Sequence, residues 1–367
     1  MEYSLPNKGY KQNFTTRMKQ YNFLWVLLCI LCLLYTSCEK DIPFSQPELT
    51  KKYECHYKSL GEKLPNGEDA ATIYISNINT GLNKEHVIIS FGNKLRTPNF
   101  NFDLKDIFIY QHNDSANIYK DIDANRIFGH LTDNIQPIRF RVIHNADGDF
   151  AHSQQTFFTG GFHGYANQTD NNAIATAYEQ SKQVYVDGKP INLNDKIMGS
   201  SITIKTTNLL QASNTEKHDG TGRYALKEEI IINYRNDTAF VQVNYTPLED
   251  IIVYQVNGLA FFNDLEHIRF IGSQTKTGIY PNNIVLRADR NVTAIQQFNN
   301  AYRFEVFIDN KYGIGNLEYN KENFNAQISS AQKSYFLLID NLDYLPLKFL
   351  QGEVFSFRGG YTFKRNQ

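Results

Sequence analysis

The stretch KEEIIINYRNDTAFVQVNY, residues 227–245, decides the fold. Two runs rich in β-branched and aromatic residues, Lys227 to Tyr234 and Thr238 to Tyr245, flank the turn residues Arg235-Asn236-Asp237. In the second run apolar and polar side chains alternate with period two, which is typical of a strand with one buried face. Because Asn and Asp favour turn conformations, the stretch predicts an antiparallel hairpin with long arms.

Similar short runs, bounded by turn residues, occur on both sides of this hairpin. These strand candidates cover residues 72–75, 86–91, 106–110, 183–186, 251–256, 303–308, 335–339, 347–350 and 354–357. The Asp187-Gly188 pair after residues 183–186 predicts a second tight hairpin. Helical periodicity is weak, and residues 171–182 are the best helix candidate. The pattern therefore predicts an all-β protein, a large antiparallel two-sheet sandwich.

The N-terminal region carries the pattern of an export signal. An apolar run from Leu24 to Leu34 is too short to span a bilayer, which needs roughly 20 apolar residues in a helix. A basic flank precedes this run, and the small pair Thr36-Ser37 stands directly before Cys38. We therefore predict a signal peptide over residues 1–37, with Met18 as an alternative start, and acylation of Cys38.

The charged residues Glu39-Lys40-Asp41 follow this cysteine directly. The cluster resembles the export signal of surface lipoproteins of Bacteroidota, in which charges just past the cysteine direct the protein to the outer face of the outer membrane. The resemblance implies a lipid-anchored protein exposed on the cell surface, held by several acyl chains. Residues 38–52 then form a tether, and residues 53–367 are predicted to form one β-sandwich domain. A smaller N-terminal β domain ending near residue 130 is the alternative.

Composition narrows the classes of function. The formal charge of the chain is −1, and removing residues 1–37, with four basic residues and one acidic residue, makes it −4. Without a basic stripe, nucleic acid is not expected as a partner. Cys55 is the one thiol left once the signal is removed and Cys38 is acylated, which excludes an internal disulfide and a thiolate zinc site. The single tryptophan, Trp25, lies in the signal, which weakens the case for a tryptophan-based sugar platform.

The densest group of chemically versatile side chains lies in residues 144–167. Within it, the stretch Thr-Gly-Gly-Phe-His-Gly places His163 between glycines, which permit the close approach of a ligand. We interpret His163 as a candidate general base, with Tyr165 as a second candidate. The candidate ligand-binding residues here are His152, Gly161 and Asn167. The alternative is a strand-connecting turn with an exposed histidine.

This Thr-Gly-Gly-x-His-Gly stretch, followed by a long antiparallel hairpin, resembles the galactose mutarotase-like supersandwich over residues 155–262. Members of that fold carry a Gly-Gly-rich loop at the sugar site, and their relatives include polysaccharide lyases and hydrolases. The resemblance implies a glycan-handling sandwich in which Asn257 contacts the ligand. Gly258 stands where the mutarotases carry the histidine of an Asn-His pair, so the resemblance does not extend to mutarotase activity.

A second polar cluster, residues 211–224, contains His218 and Arg223 as candidate catalytic residues. With a uronic-acid polymer as substrate, Arg223 would bind the carboxylate, and His163 or Tyr165 would remove the acidified proton in a β-elimination. A hydrolase would instead need two carboxylates about 5–9 Å apart. The available carboxylates are Glu228, Glu229, Glu249 and Asp250, and adjacent residues of a strand point to opposite faces.

Metals are not strongly indicated, and no cofactor is expected. The turn Asp147-Gly148-Asp149 offers oxygen ligands, so a calcium ion there is the one metal hypothesis. The leading interpretation is an outer-membrane surface lipoprotein that binds a polysaccharide and, as an enzyme, would cleave it as a lyase or a hydrolase. The rival is a non-catalytic glycan-binding, structural or adhesion protein that pairs through strand edges. An outer-membrane transporter is a further partner hypothesis.

Overall fold

The computed structural model describes residues 51–78, 85–111, 126–129, 134–135, 137–170, 172–262, 265–272, 278–279, 286–287, 292–312, 314, 325–328, 333–340 and 346–365. All of them belong to the compact unit Leu49–Gln367. They form three antiparallel sheets, and their one helical element is a 3-10 turn at Tyr165–Asn167. The all-β class is confirmed. The signal peptide and Cys38 lie outside the described residues, and the division into domains stays a prediction.

The largest sheet has ten strands and contains the hairpin quoted above. In spatial order its strands are β16 (Gly278–Ile279), β15 (His267–Ile271), β18 (Ala294–Phe298), β19 (Tyr302–Ile308), β23 (Phe355–Arg365), β13 (Thr238–Pro247), β12 (Tyr224–Arg235), β11 (Ile202–Gln211), β8 (Ala177–Val186) and β9 (Lys189–Pro190). Side chains of β13 alternate strictly between buried and half-buried, as the period-two pattern predicts. Asn236 and Asp237 have φ angles of 47° and 59°, as a tight hairpin turn requires. Both predicted hairpins are confirmed.

The helix candidate at residues 171–182 is wrong. From Ala177 onward this segment is strand β8, whose residues alternate between the core and solvent. The alanines at positions 173, 175 and 177 recur every second residue, which is the period of a strand and not of a helix. The pairing register with β11 skips Gln180, so β8 contains a bulge there. The bulge lets Glu179 and Lys182 both point into the protein, although they are three residues apart.

A seven-stranded sheet packs against the ten-stranded sheet. Its strands are β17 (Leu286–Arg287), β20 (Asn325–Ile328), β21 (Lys333–Asp340), β14 (Ile251–Phe262), β6 (Ile138–Val142) and β7 (Phe158–Thr159), with β22 (Leu347–Phe349) also pairing to β14. Aromatic side chains fill the space between β14 and the strands β19 and β23. The rings of Phe261 and Phe304 meet edge to face at 5.2 Å, and those of Phe349 and Phe355 stack at 4.0 Å. Each buried ring stabilises the fold by about 1.5–3 kcal/mol.

The third sheet has six strands, in the order β10 (Lys196–Gly199), β1 (Tyr53–Lys63), β2 (Asp69–Ile78), β3 (Glu85–Asn93), β4 (Phe102–Gln111) and β5 (Arg126–Gly129). It joins the ten-stranded sheet at Asp237. Tyr53 donates its hydroxyl to Asp237 Oδ1 over 3.1 Å, Asn77 Nδ2 donates to the same oxygen over 2.8 Å, and Lys51 forms an ion pair with Oδ2. Among the described residues, no helix has the length and hydropathy needed to cross a bilayer.

The two ends of the ten-stranded sheet differ in character. We call the end with the Asn236-Asp237 turn the turn end. The opposite end, where residues 212–223 connect β11 to β12 and residues 248–250 connect β13 to β14, is the loop end. The twelve residues of β12 run from one end to the other, so the two ends lie about 36 Å apart.

A buried charge network joins β3 to β8. Lys182 Nζ donates to Glu179 Oε1 over 3.0 Å and to Asn93 Oδ1 over 2.9 Å, and Asn93 Nδ2 donates to Glu179 Oε2 over 2.9 Å. The side chains of Lys182 and Glu179 are 1% and 2% exposed. Burial raises the pKa of Glu179, while Lys182 and Asn93 oppose this rise by stabilising the carboxylate. Such a closed triangle satisfies both charges only while all three side chains are present.

We expect Lys182→Met to lower the free energy of unfolding by about 3–5 kcal/mol, because it leaves a buried carboxylate without its cation. Urea denaturation at neutral pH measures this change. The double variant Glu179→Leu/Lys182→Met should recover most of the loss, since neither charge remains. Lys205→Met, on the exposed face of β11, is the matched control and should stay within about 0.5 kcal/mol. Equal losses in the single and double variants would contradict the explanation.

Candidate functional site

The loop end is organised around residues 212–216, which connect β11 to β12 and are fully buried. Glu216 N donates to Ala212 O over 3.1 Å, which closes a tight turn. The side chain of Asn214 then replaces a neighbouring strand: it donates to Val142 O and accepts from Val142 N, both over 2.9 Å. The first half of the polar cluster is therefore fixed to β6, and only its second half, residues 217–223, reaches solvent.

Residues 147–149 lie against this buried turn. Asp149 N donates to Glu216 O over 2.9 Å and Gly148 N donates to Asn214 O over 3.0 Å. Gly148 has no space for a side chain, because an added Cβ would lie 2.5 Å from Glu216 O. The close approach of the two backbones places the Asp149 carboxylate beside residues 217–219.

Asp149 brings two of the sequence-predicted residues together. Its Oδ2 accepts from the Tyr165 hydroxyl over 2.9 Å and from His218 N over 2.8 Å, and it lies 2.8 Å from His218 Nδ1. The backbone N–H of His218, then its ring, then Tyr165 lower the pKa of Asp149, so this carboxylate stays charged. Desolvation, followed by Asp149, raises the pKa of Tyr165. Tyr165 is therefore a hydrogen-bond donor at neutral pH and a poor general base.

Arg223 lies in the same surface but is already engaged. Its Nε donates to Asp147 Oδ1 over 3.2 Å, one terminal nitrogen pairs with Glu249, and the other donates to Asn145 O. Desolvation raises the pKa of Glu249, and Arg223 opposes this rise. Because Asp147 and Glu249 already bind this guanidinium, it is not available to bind a substrate carboxylate. The β-elimination arrangement would require such binding.

A buried acid lies directly beneath this surface. Glu216 is 0% exposed, and its Oε2 accepts from Ala166 N over 2.9 Å. Within the described part of the chain, Glu216 Oε1 has no hydrogen-bond partner. Burial raises the pKa of Glu216 to about 8, and the Ala166 bond only partly offsets the effect. Ala166 itself has a φ of 52°, so Glu216 holds the strained turn that carries Tyr165.

The glycine-rich loop has a different environment. Asn99 Nδ2 and the Thr176 hydroxyl both donate to His163 O, over 2.9 and 2.7 Å, so the loop is fixed from below. The His163 ring lies 5.2 Å from the ring of Phe158, and its Nδ1 is buried. Gly160 and Gly161 have φ angles of 81° and 54°, which glycine adopts more easily than other residues. This explains why glycine occupies both positions. No contact described in the structure joins the His163 ring to Tyr165, His218 or Arg223.

Gly160 and Gly161 line a small pocket. Two carboxylates, Asp103 and Glu228, lie in its wall, and they are 4% and 5% exposed. Asp103 Oδ2 accepts from Asn134 N over 2.8 Å, and Glu228 Oε2 accepts from Asn208 Nδ2 over 2.9 Å. Glu228 is buried while its neighbour Glu229 is half-buried on the other face of β12, as the alternation predicts. Both acids of the pocket are thus shielded from a polymeric substrate.

The remaining predicted residues are dispersed. His152 is exposed and His144 is exposed, both without a described contact to the cluster. Asn167 has a φ of 64°, and its Oδ1 is buried without a described partner. Asn257 is 4% exposed in β14, where it accepts from Gln255 Nε2 over 2.9 Å. The grouping of Asn257 with the histidine loop therefore stays a prediction.

The residues that sequence reasoning missed are Glu216 and Phe150. Glu216 lies in a polar stretch without periodicity, so nothing in the local pattern signals its burial. Phe150 contacts Phe157 at 4.7 Å and Tyr165 at 5.6 Å between ring centroids, which creates an aromatic patch beside Asp149. Its isolated position in a loop hid this role.

Other protein groups already contact both carboxylates that the calcium hypothesis requires. Asp147 binds Arg223 and Lys217, and Asp149 binds Tyr165 and His218, so both carboxylates of the Asp-Gly-Asp turn already have donors. Within the described ranges, no group of three or more His, Cys, Asp or Glu residues is arranged to hold a metal ion. A calcium ion at this turn stays a prediction.

Comparisons with known proteins give structural similarity only. No protein-family model and no curated protein sequence matches the chain. An α-galactosidase of family GH36 from Geobacillus stearothermophilus, in complex with raffinose, is similar at a TM-score of 0.43 and 9% identity, over 80% of this chain and 41% of that chain. Galactose 1-epimerase from Lactobacillus acidophilus is similar at a TM-score of 0.41 and 11% identity, over 85% of this chain and 99% of that chain. This chain thus spans about two fifths of the galactosidase.

Scores and identities this low describe a loose similarity in strand arrangement, and the geometry of the loop end stands independently of them.

We expect the stability of the protein to fall as the pH rises from 5 to 9. The pKa of Glu216 is about 8 when folded and 4.5 ordinarily. Its contribution is therefore complete below pH 4.5 and is lost as the pH rises through 8, by about 4–5 kcal/mol in all. Glu216→Gln, which stays neutral, should abolish this slope in urea denaturation series. Glu229→Gln, at a half-exposed carboxylate, is the control, and equal slopes for the natural protein and Glu216→Gln would refute the assignment.

Proposed function

We propose that the mature protein is a lipid-anchored protein of the outer face of the outer membrane that binds a polysaccharide at its loop end without cleaving it. The location follows from the signal and from the charges after Cys38. The binding follows from one observation: Asp149, Tyr165 and His218 form a connected, solvent-reachable hydrogen-bonding cluster next to the aromatic patch of Phe150.

This combination suits sugar recognition. A pyranose presents hydroxyl groups around its edge and C–H groups on its faces, so it needs donors and acceptors beside an apolar surface. Asp149 accepts hydrogen bonds, His218 is 75% exposed and offers a ring nitrogen, and the Tyr165 ring lies against Phe150. Ion pairs fix the neighbouring residues 217 and 223, which reduces the entropy lost when a ligand binds.

The charges of the loop end favour a neutral polysaccharide. Exposed or half-buried carboxylates outnumber the basic side chains there: Asp147, Asp149, Asp170, Asp219, Glu249, Asp250 and Glu353 stand against Lys217, Arg223 and Lys348. A uronic-acid polymer would be repelled by this excess of negative charge. The engaged guanidinium of Arg223 supports the same choice.

Binding fits the geometry better than cleavage. A glycosidase needs two carboxyl groups that both reach the substrate. The acids that could serve as proton donors, Glu216 and Glu228, are 0% and 5% exposed. A lyase would need the free arginine discussed above. The accessible groups are thus those of a binding surface.

The position of the tether supports an outward-facing site. Lys51, the first described residue, pairs with Asp237 at the turn end. A tether of residues 38–52 would attach the protein to the membrane at that end. The loop end, about 36 Å further along β12, would then face away from the membrane and towards extracellular polymers.

A structural or adhesion protein is the second candidate function. The strand β10 is the edge of the six-stranded sheet, and it exposes Ile197 by 37% and Met198 by 52%. An edge strand with exposed apolar side chains can pair with another chain. We also propose an outer-membrane transporter as a partner that pairs with this edge.

We expect Tyr165→Ala to weaken the binding of a neutral polysaccharide at least about tenfold, because it removes a donor and part of the aromatic patch. Affinity gel electrophoresis against galactans, mannans, glucans and uronic-acid polymers measures the effect. Tyr185→Ala, on the outer face of β8, is the matched control. Reducing-end assays and absorbance at about 235 nm report cleavage. Unaltered binding in Tyr165→Ala, or altered self-association without any glycan binding, would favour the second candidate.

The anchor has its own test. We expect metabolic palmitate to label the natural protein and not Cys38→Ala, because acylation needs the thiol. Globomycin should cause the unprocessed precursor to accumulate. If the natural protein is not labelled and is processed normally, the proposed membrane location is wrong.

A further inference from the structure

Basic side chains collect at the turn end. The pairing registers place the ends of β12, β19 and β23 side by side there, with Tyr302 opposite Arg365 and Arg303 opposite Lys364. The basic residues of this end are Lys51, Lys52, Lys189, Arg235, Arg303, Lys364 and Arg365, all exposed or half-buried. We call this group the basic end.

The compensating negative charge is small. Among the described residues of the turn end, the carboxylates are Asp187, Asp237, Glu266 and Glu305. The last of these is level with Thr238, because both pair with Thr362. Asp237 is already paired with Lys51, and Glu266 lies 3.7 Å from His267. Glu54 and Lys196, slightly further from the end, pair with each other over 3.0 Å. The basic end therefore keeps a net positive charge, although the whole chain is near neutral.

One pairing in this group costs stability. Arg303 and Lys364 lie directly opposite each other on neighbouring strands, and like charges in that position repel. A fold gains nothing internally from this repulsion, but an external anion would relieve it.

The charge distribution gives the molecule a direction. The loop end carries an excess of carboxylates, and the turn end carries an excess of basic groups about 36 Å away. Lys51, near the end of the predicted tether, also contacts Asp237 at the turn end. A surface with negative potential would attract the basic end and repel the loop end.

We propose that the basic end docks on the anionic headgroups of a lipid surface and holds the loop end away from it. This inference goes beyond the glycan-binding function and shares with it only the anchor at Cys38. Acyl chains and a basic patch are two signals that together give a firmer and oriented attachment. The headgroup layer, not a single bound phosphate, is the partner, since the charges are spread over three strand ends and a turn.

The experiment uses the full chain purified from membranes, with vesicles of phosphatidylcholine alone or mixed with phosphatidylglycerol. Ala301→Cys places a thiol beside the basic end, and Gln351→Cys places one at the loop end; Cys55 is buried. We expect a water-soluble maleimide to label Ala301→Cys at least about tenfold more slowly on anionic vesicles than on neutral ones. A tenfold difference corresponds to the usual attraction of between one and two basic residues to anionic lipid.

Gln351→Cys should react equally on both kinds of vesicle. The protection of Ala301→Cys should disappear at about 0.5 M salt, because the Debye length then falls well below 10 Å. It should also disappear on substitution of Arg303, Lys364 and Arg365 by Glu, or by Gln if the Glu variant unfolds. The triple control Lys205→Glu/Lys227→Glu/Lys348→Glu changes the net charge equally and should keep the protection.

Equal labelling of Ala301→Cys on both vesicles, or equal losses in the two triple variants, would overturn the proposal. Release by inorganic phosphate beyond that by chloride at matched ionic strength would also overturn it, in favour of a phosphate pocket. Failure of the anchor is distinguishable: a chain that is not acylated would leave neutral vesicles but still bind anionic ones. The glycan-binding result with Tyr165→Ala is independent of either outcome.

Discussion

The side chain of Asn214 fastens the connection between β11 and β12 to strand β6. Its amide donates to and accepts from the same residue, Val142, as a neighbouring strand would. This bond pair is buried, so losing it would leave unsatisfied backbone groups in the interior. Residues 147–149 are in turn held by the backbone of residues 214 and 216. The Asn214 amide and the bond from Ser213 N to Phe140 O therefore both hold this connection to β6, and they set the shape of the loop end.

Two buried carboxylates are accommodated in different ways. Glu179 has a lysine and an asparagine within hydrogen-bond distance, and both oppose the rise in its pKa that burial causes. Glu216 accepts one hydrogen bond, from Ala166 N, and burial raises its pKa to about 8. Its neutral form is therefore favoured near pH 7. The first arrangement fixes β3 to β8. The second makes the turn that carries Tyr165 sensitive to pH.

The surface above Glu216 is rich in polar contacts but poor in free reactive groups. Asp149 keeps its charge because three donors point at it, and Arg223 is neutralised by two carboxylates. Groups held in this way present fixed hydrogen bonds and move few protons. Glu216, whose pKa is raised to about 8, lies underneath, out of reach of a polymer. This separation is why the geometry supports binding over turnover.

Period-two alternation and Asn-Asp or Asp-Gly turns are local signals, so the sequence predicts the class of fold, the two tight hairpins and many of the strands, although not β11. It failed at residues 171–182, where alternating alanines were mistaken for a helix and the bulge at Gln180 was invisible. It named Tyr165, His218 and Arg223 as site residues and Asp149 as a calcium ligand, but it did not predict that Asp149 joins two of them or that Glu216 lies below. Those contacts arise from the tertiary structure, because they link residues 16 to 69 positions apart through loops without periodicity.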